Sequence, residues 1–225
     1  MQLSKNTFGV KPFIKGGLII SAHLLQSTSK RDIKELVDVA FQKYANYPHF
    51  LKPFFYPITP DQDKTELATF LEKISAIEPK AIVEVGTGRG GVTFLMSKIA
   101  PTAQIITIDC NINEIDQFYY HRLRKNITAL NMNSQDPKTA DHVAKLLEGK
   151  PIDVLFIDGD HSIAGVTRDY QNFSPQVRPG GLVVFHDIND LKLGVPFFWS
   201  SLKGNKQEII TDRQRDKYGI GVVTK

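Results

Sequence analysis

From residue 81 onward, short apolar runs alternate with stretches of helical periodicity. The apolar runs are mostly β-branched and cover residues 81–85, 104–109, 127–132, 152–157 and 182–185. Nearly continuous hydrophobicity of this length is typical of strands that are buried on both faces. Helical spacing is found between the runs, at residues 91–100, 114–124, 136–147 and 163–173. The alternation predicts an α/β fold with a parallel, doubly wound sheet.

Two shorter runs close the chain, at residues 208–211 and 219–223. We expect them to form a final hairpin that is inserted into the sheet in the antiparallel sense. Pro179, Gly180 and Gly181 predict a turn from which the fifth strand starts.

Two helices are expected before residue 81. Apolar residues between Ile33 and Tyr44 recur at helical spacing, and so do those between Leu67 and Ile77, with Thr59 as the expected N-cap of the second helix and Pro60 in its first turn. A connector rich in proline and aromatic residues separates them at residues 47–60. We therefore divide the chain into an N-terminal arm and helix, residues 1–60, and a main domain, residues 61–225. The arm is interpreted as a cap or as the contact of a homo-oligomer.

Composition argues against several functional classes. The chain of 225 residues is 41% hydrophobic with a net charge of +4, and its positive residues are scattered, so a nucleic-acid partner is not expected. No apolar stretch approaches the length of a membrane span. Cys110 is the single cysteine, which excludes an intramolecular disulfide and suits a reducing compartment. We expect a cytoplasmic protein without a membrane partner.

A glycine-rich loop follows the first predicted strand. Gly86, Gly88 and Gly90 allow a tight turn and close approach of a ligand, and the next helix offers free N–H groups at its start. The spacing also satisfies the dinucleotide fingerprint, so a nicotinamide cofactor is one interpretation. Glu84 favours the other, because a carboxylate suits the positively charged methionine end of S-adenosylmethionine better than a pyrophosphate.

Other polar residues at strand ends suit a nucleoside. Asp109 can accept hydrogen bonds from both ribose hydroxyls, although it could also cap a helix. Asn133 and Ser134 follow the third strand and could reach an adenine ring or cap the helix near Asp136. These residues support a nucleoside ligand without choosing between the two cofactors.

A second polar group follows strands four and five. If these strands are neighbours, Asp158 and Asp187 converge at the same rim as the glycine loop, and two adjacent carboxylates call for a cation such as Mg²⁺. Asp160 or Ser162 could instead cap the next helix. His161, three residues after Asp158, is a candidate general base, although a single histidine is more often structural.

These motifs together resemble those of a known family. The segment from Val83 to Gly90 is similar to the first motif of class I S-adenosylmethionine-dependent methyltransferases. The segment 157–162, followed by Gly165, Val166, Asp169, Pro179–Gly181 and His186–Asp187, resembles the branch of small-molecule O-methyltransferases related to cephalosporin hydroxylase and to the macrolide and rhamnosyl O-methyltransferases.

The resemblance implies a Rossmann-like, seven-stranded sheet, mostly parallel with a reversed last strand. It also implies cofactor binding by the residues Glu84, Gly86, Thr87, Gly88, Gly90, Asp109, Asn133, Ser134 and Asp158. Metal-dependent relatives place ligands at Asp158, His186 and Asp187, and some place the base at His161. The implied reaction is methyl transfer from S-adenosylmethionine to a hydroxyl of a small-molecule acceptor, with a divalent metal, Mg²⁺, assisting. The alternatives are a nicotinamide-dependent oxidoreductase and a nucleoside-binding module without catalysis.

Overall fold

The computed structural model describes residues 32–41, 60–112, 125–215 and 217–225. Seven strands form one sheet: β1 (Ala81–Val85), β2 (Gln104–Asp109), β3 (Ile127–Asn131), β4 (Ile152–Ile157), β5 (Val177–Phe185), β6 (Asn205–Ile209) and β7 (Ile220–Thr224). Six α-helices of the described residues accompany them: α1 (Ile33–Phe41), α2 (Lys64–Ala76), α3 (Gly91–Ile99), α4 (Pro137–Leu146), α5 (Ile163–Phe173) and α6 (Val195–Ser201). Two 3₁₀ turns lie at Ser174–Gln176 and Arg213–Arg215.

The strand order is β3-β2-β1-β4-β5-β7-β6. Successive strands are therefore added on one side of β1 up to β3 and on its other side from β4 onward. The pairs among β1 to β5 are parallel, whereas β7 is antiparallel to both β5 and β6. This confirms the predicted doubly wound, seven-stranded sheet with a reversed last strand. It also confirms that β4 and β5 are neighbours, on which the convergence of Asp158 and Asp187 depends.

The sheet is covered on both faces. Successive β1 side chains point to opposite sides, so Ile82 packs in the core that includes side chains of α1, α2 and α3. Val83 packs in the second core, with side chains of α4, α5 and α6. All five β1 residues are buried, which explains why the strand is apolar without alternation except at Glu84.

Some predicted boundaries were wrong. Helix α2 is capped by Asp63, whose side chain accepts from the backbone N–H of Thr65 and Glu66, rather than by Thr59. A proline at position 60 signals a helix start, but a carboxylate three residues later caps more effectively. Strand β6 begins at Asn205, three residues before the apolar run, because it pairs with β7 through its backbone and most of it is exposed.

Strand β5 begins at Val177, ahead of the Pro179–Gly181 segment in which we expected a turn. Its pairing with β4 shifts register between Ile152 and Val154, and the Arg178 guanidinium pairs with Asp153 beside this irregularity. The prolyl and glycyl residues therefore lie within an irregular strand rather than before a regular one.

Three expectations concern residues outside those described: the helix at residues 114–124, the connector 47–59 and most of the arm. Within the described residues, α1 packs on α2 and its apolar side chains join the core shared with α3. The domain boundary at residue 60 stays a prediction. No helix of the described part combines the length and the apolar character that crossing a bilayer requires.

Candidate active site

The candidate active site lies at the carboxyl ends of β1, β4 and β5. A cavity of about 440 Å³ opens there, within the range of roughly 300–1,000 Å³ that is usual for small-molecule pockets. Its lining combines the glycine loop with residues from the chain before α2, the ends of β4 and β5, and the loop before β7. The polar and charged side chains in this lining are Asp61, Gln62, Glu84, Thr87, Arg89, Asp158, His161, His186, Asp187, Asp190, Lys217 and Tyr218.

Glu84 lies at the floor of the cavity, on β1, and is 1% exposed. The hydroxyl of Thr107 donates to its Oε2 over 2.6 Å, and the hydroxyl of Thr93 donates to the same oxygen. Burial, reinforced by the negative charges of Asp158 and Asp109, raises the pKa of Glu84 to about 8. A buried carboxylate of this kind gains most from a cationic ligand.

The glycine loop is held close to the end of β4. Gly86 has a φ of +90°, and a Cβ at this position would lie 1.9 Å from the backbone oxygen of Asp158. Only glycine fits such a left-handed position against another backbone. The loop thereby brings the Glu84 side of the cavity within reach of the Asp158 side.

Asp109 secures the same loop from β2. Its Oδ2 accepts from the backbone N–H of Thr87 (3.1 Å) and of Gly88 (3.2 Å), and its Oδ1 accepts from that of Asn111 (2.8 Å). Asp109 is not among the residues that line the cavity. Its predicted contact with a ribose stays a prediction.

The strand-end residues proposed for the adenine also lie outside the cavity lining. Asn133 accepts from the backbone N–H of Gln135, and the backbone oxygen of Ser134 accepts from the side chain of Asn172. Neither caps α4, because Asp136 does so through the N–H of Lys138. The capping alternative for these two residues is therefore wrong, and their contact with adenine stays a prediction.

Two carboxylates and two imidazoles meet at the ends of β4 and β5. Nδ1 of His186 lies 3.2 Å from Asp158 Oδ1 and 3.2 Å from Asp187 Oδ2. Nε2 of His161 lies 3.4 Å and 3.5 Å from the same two oxygens. His186 and Asp187 are buried, whereas the His161 side chain is 39% exposed. The predicted convergence of Asp158 and Asp187 is confirmed.

The charges of this cluster act on one another. Burial alone would raise the pKa of Asp158, but His186 and His161 outweigh it and hold that pKa below its usual range. Burial alone would lower the pKa of His186, but the two carboxylates outweigh it and raise that pKa. The neighbouring Asp158 likewise raises the pKa of His161.

The cluster fits a metal ion. Nε2 of His161 and both ring nitrogens of His186 are buried without a hydrogen-bond partner among the described residues, although carboxylate oxygens lie nearby. Ligand atoms of Asp158, His161 and Asp187 lie within 4.8 Å of one another, so this group contains His161 and not the predicted ligand His186. Nδ1 of His186 nevertheless lies 3.2 Å from an oxygen of each of the two carboxylates. Carboxylate oxygens that converge with imidazole nitrogens lacking hydrogen bonds are an arrangement that a divalent cation can occupy.

The residues that cap α5 have their expected local role. Ser162 is the N-cap and accepts from the N–H of Gly165. Asp160 accepts from the N–H of Ser162 and from the side chain of Gln135, and it does not line the cavity. The structural interpretation of Ser162 is confirmed.

Several cavity residues were missed from the sequence. Gln62 donates from Nε2 to Asp158 Oδ2 over 2.7 Å, from a segment whose only sequence signal was its closeness to a helix start. Tyr218 has a φ of +61°, which is rare for a residue other than glycine, and its ring centre lies 6.0 Å from that of His186. A Lys-Tyr-Gly sequence before a strand carries no signal of such a position.

The sequence of residues 83–188 matches a protein family described as a methyltransferase domain. The uncharacterized protein R132 of Acanthamoeba polyphaga mimivirus is 30% identical over 142 residues, which are 60% of this chain and 62% of that protein. The uncharacterized protein y4gI of Sinorhizobium fredii is 28% identical over 163 residues, 67% of this chain and 18% of that protein. The chain thus spans less than two thirds of either relative.

Solved structures share the fold. A crystal structure described as a putative caffeoyl-CoA O-methyltransferase from Staphylococcus aureus superposes with a TM-score of 0.58 at 17% identity, over 91% of this chain and 97% of that one. The MycE methyltransferase of mycinamycin biosynthesis, in complex with Mg, S-adenosylhomocysteine and mycinamycin VI, superposes with a TM-score of 0.51 at 20% identity. The match covers 83% of this chain and 48% of MycE. Residues 83–188 are thus similar in sequence to a methyltransferase domain, and the chain shares a Rossmann-like fold with these solved structures.

Proposed function

We propose that the chain is an S-adenosylmethionine-dependent O-methyltransferase that methylates a small hydroxylated molecule with the help of a divalent cation. One observation carries the proposal: Glu84 and the cluster of Asp158, Asp187 and His161 line the same cavity. A carboxylate for a cationic cofactor and a group of metal-binding side chains thus lie side by side.

The cofactor half of the cavity is assigned to the first strands. Glu84 binds the ammonium group of the methionine moiety, since Thr93 and Thr107 both donate to Oε2 and leave Oε1 for a ligand. The glycine loop, with Thr87, lets the backbone approach the ligand, and Asp109 would contact the ribose. Asn133 and Ser134 are assigned to the adenine.

The acceptor half is assigned to β4 and β5. When bound, S-adenosylmethionine supplies a methyl group on a sulfonium sulfur, and a divalent cation lowers the pKa of a hydroxyl. Asp158, His186 and Asp187 would hold the cation. His161, whose side chain is the more exposed of the two histidines, would accept the proton of the acceptor hydroxyl at Nε2. Mg²⁺ is the first candidate because MycE, which shares the fold, was crystallised with Mg.

The experiment separates binding from transfer. We expect Asp158→Ala to reduce methyl transfer by roughly a thousandfold or more, because cation assistance is worth several kcal/mol in the transition state. Affinity for S-adenosylhomocysteine should stay largely intact. Release of S-adenosylhomocysteine is followed with a panel of sugars, phenols, polyketides and lipid-linked alcohols. The control is Asp141→Ala, at an exposed position of α4.

Chelation of divalent cations should reduce the wild-type rate to that of Asp158→Ala. Full activity in both cases would refute the metal assignment. Calorimetric titration with NADH tests the oxidoreductase alternative, which requires that NADH bind more tightly than S-adenosylhomocysteine. Binding of S-adenosylhomocysteine without transfer to any acceptor would favour a module that lacks catalysis. We further propose a cytoplasmic location and no nucleic-acid partner, and we assign the N-terminal arm to a cap or to a homo-oligomer contact.

A further inference from the structure

Gln62 connects the segment before α2 to the metal-binding cluster. It lies outside residues 83–188, is 8% exposed and lines the cavity. Its Nε2 donates to Asp158 Oδ2 over 2.7 Å, across 96 residues of sequence. A buried side-chain amide therefore contacts a carboxylate to which we assign the cation.

The chemistry of the contact fixes the orientation of the amide. The ionised Asp158 carboxylate can only accept hydrogen bonds, so the NH₂ group of Gln62 must face it. The carbonyl oxygen, Oε1, is then buried and has no hydrogen-bond partner among the described residues. A buried carbonyl left in this state lowers stability, so the folded state gains little from a glutamine here.

The two oxygens of Asp158 have different neighbours. Oδ2 accepts from Gln62, whereas Oδ1 faces His186 and His161. A donor fixed on one oxygen holds the carboxylate plane and directs the other oxygen to the cation. Side chains that orient metal ligands in this way commonly affect metal affinity.

We propose that Gln62 is a positioning residue, which orients Asp158 for the divalent cation. The inference rests on the proposed function for the cation site itself and adds a residue outside the matched domain. Gln62 acts through Asp158, and loss of its amide changes the metal affinity rather than the cofactor pocket.

The test is Gln62→Met, which keeps an unbranched side chain and removes both polar atoms. Mg²⁺ affinity, measured by calorimetry with S-adenosylhomocysteine present, should weaken about tenfold to a hundredfold, as for other residues that orient metal ligands. The melting temperature should change little, because loss of the hydrogen bond to Asp158 is offset by removal of the unpaired buried carbonyl. Gln62→Leu is the second variant in case the first does not fold.

The matched control is Gln104→Met. Gln104 also donates a side-chain hydrogen bond, to the backbone oxygen of Leu146, and neither residue lines the cavity. Its Mg²⁺ affinity should equal that of the wild type. Unchanged Mg²⁺ affinity in Gln62→Met would overturn the inference, and so would a weakening accompanied by a lower melting temperature, which indicates a structural role. No Mg²⁺ binding by the wild type would instead remove the cation site of the proposed function.

Discussion

The two halves of the cavity are built in different ways. In the cofactor half, Glu84, the glycine loop and Thr93 lie within ten residues of one another, and Asp109 joins them from the adjacent strand. In the acceptor half, Gln62 reaches Asp158 across 96 residues, and Glu66 reaches Gly219 across 153. The cofactor half therefore depends on local backbone geometry. The acceptor half depends on contacts between segments that are far apart in the sequence.

The contacts that hold the acceptor half together are made by residues at the start of α2. Glu66, 2% exposed, accepts the backbone N–H of Thr211 (2.9 Å) and of Gly219 (2.8 Å). Asp63 adds an ion pair to Arg215 (2.7 Å). These contacts hold the loop before β7 in place. Lys217 and Tyr218 of this loop line the cavity. We therefore expect changes in one half to leave the function of the other largely intact, except where the halves touch.

The largest effect is expected at the point of contact between the halves. Gly86→Ala would place a Cβ 1.9 Å from the Asp158 backbone oxygen. We expect a loss of more than about 3 kcal/mol of unfolding free energy, as for severe overpacking, together with loss of cofactor and Mg²⁺ binding. Denaturant unfolding and calorimetry measure these quantities.

Gly88→Ala is the control for this change. It also has a positive φ, of +49°, but a Cβ there would meet nothing within 4 Å. Its cost should be the left-handed backbone alone, about 1–2 kcal/mol. Equal destabilisation by the two substitutions would show that the close approach to Asp158 is unimportant.

The next effect concerns the cofactor half alone. Glu84→Gln should weaken S-adenosylhomocysteine binding by roughly ten- to a hundredfold, because it removes a charged hydrogen bond to the ligand ammonium. Mg²⁺ binding should change far less. A Glu84→Gln protein that binds the ligand as well as the wild type would contradict our assignment of the methionine end.

The pH dependence sharpens this assignment. The raised pKa of Glu84, about 8, means that the free protein holds a proton there at neutral pH, which an ammonium ligand must displace. Affinity should therefore rise with pH, by up to about tenfold per unit, until about pH 8. Calorimetry in buffers of different ionisation enthalpy should show proton release by the wild type and none by Glu84→Gln.

The smallest effect on ligand binding is expected from the contacts that Glu66 makes in the acceptor half. Glu66→Gln replaces one acceptor oxygen with a donor opposite a backbone N–H, which should cost about 1–3 kcal/mol of unfolding free energy. S-adenosylhomocysteine affinity should not change. Glu72→Gln, at an exposed position of the same helix, is the control. A loss of ligand affinity in Glu66→Gln would show that the two halves are coupled.

The same contrast explains what could be predicted from the sequence. Buried parallel strands produce continuous apolar runs, so β1, β2 and β4 were located to the residue, and Asp158 and Asp187 could be placed together. The mostly exposed strand β6 is largely polar, so the start predicted from its short apolar run was three residues too late. Gln62 and Tyr218 could not be found, because their positions follow from the packing of α2 and of the loop before β7 rather than from local periodicity.

The central claim is that the rim beside Glu84 binds S-adenosylmethionine next to a cation site. Titration of the purified wild-type chain with S-adenosylhomocysteine in the presence of Mg²⁺ tests it most directly. We predict saturable binding that is tighter than that of NADH and that Glu84→Gln weakens by roughly ten- to a hundredfold. Absence of any heat of binding for S-adenosylhomocysteine, in protein that remains folded, would contradict the account.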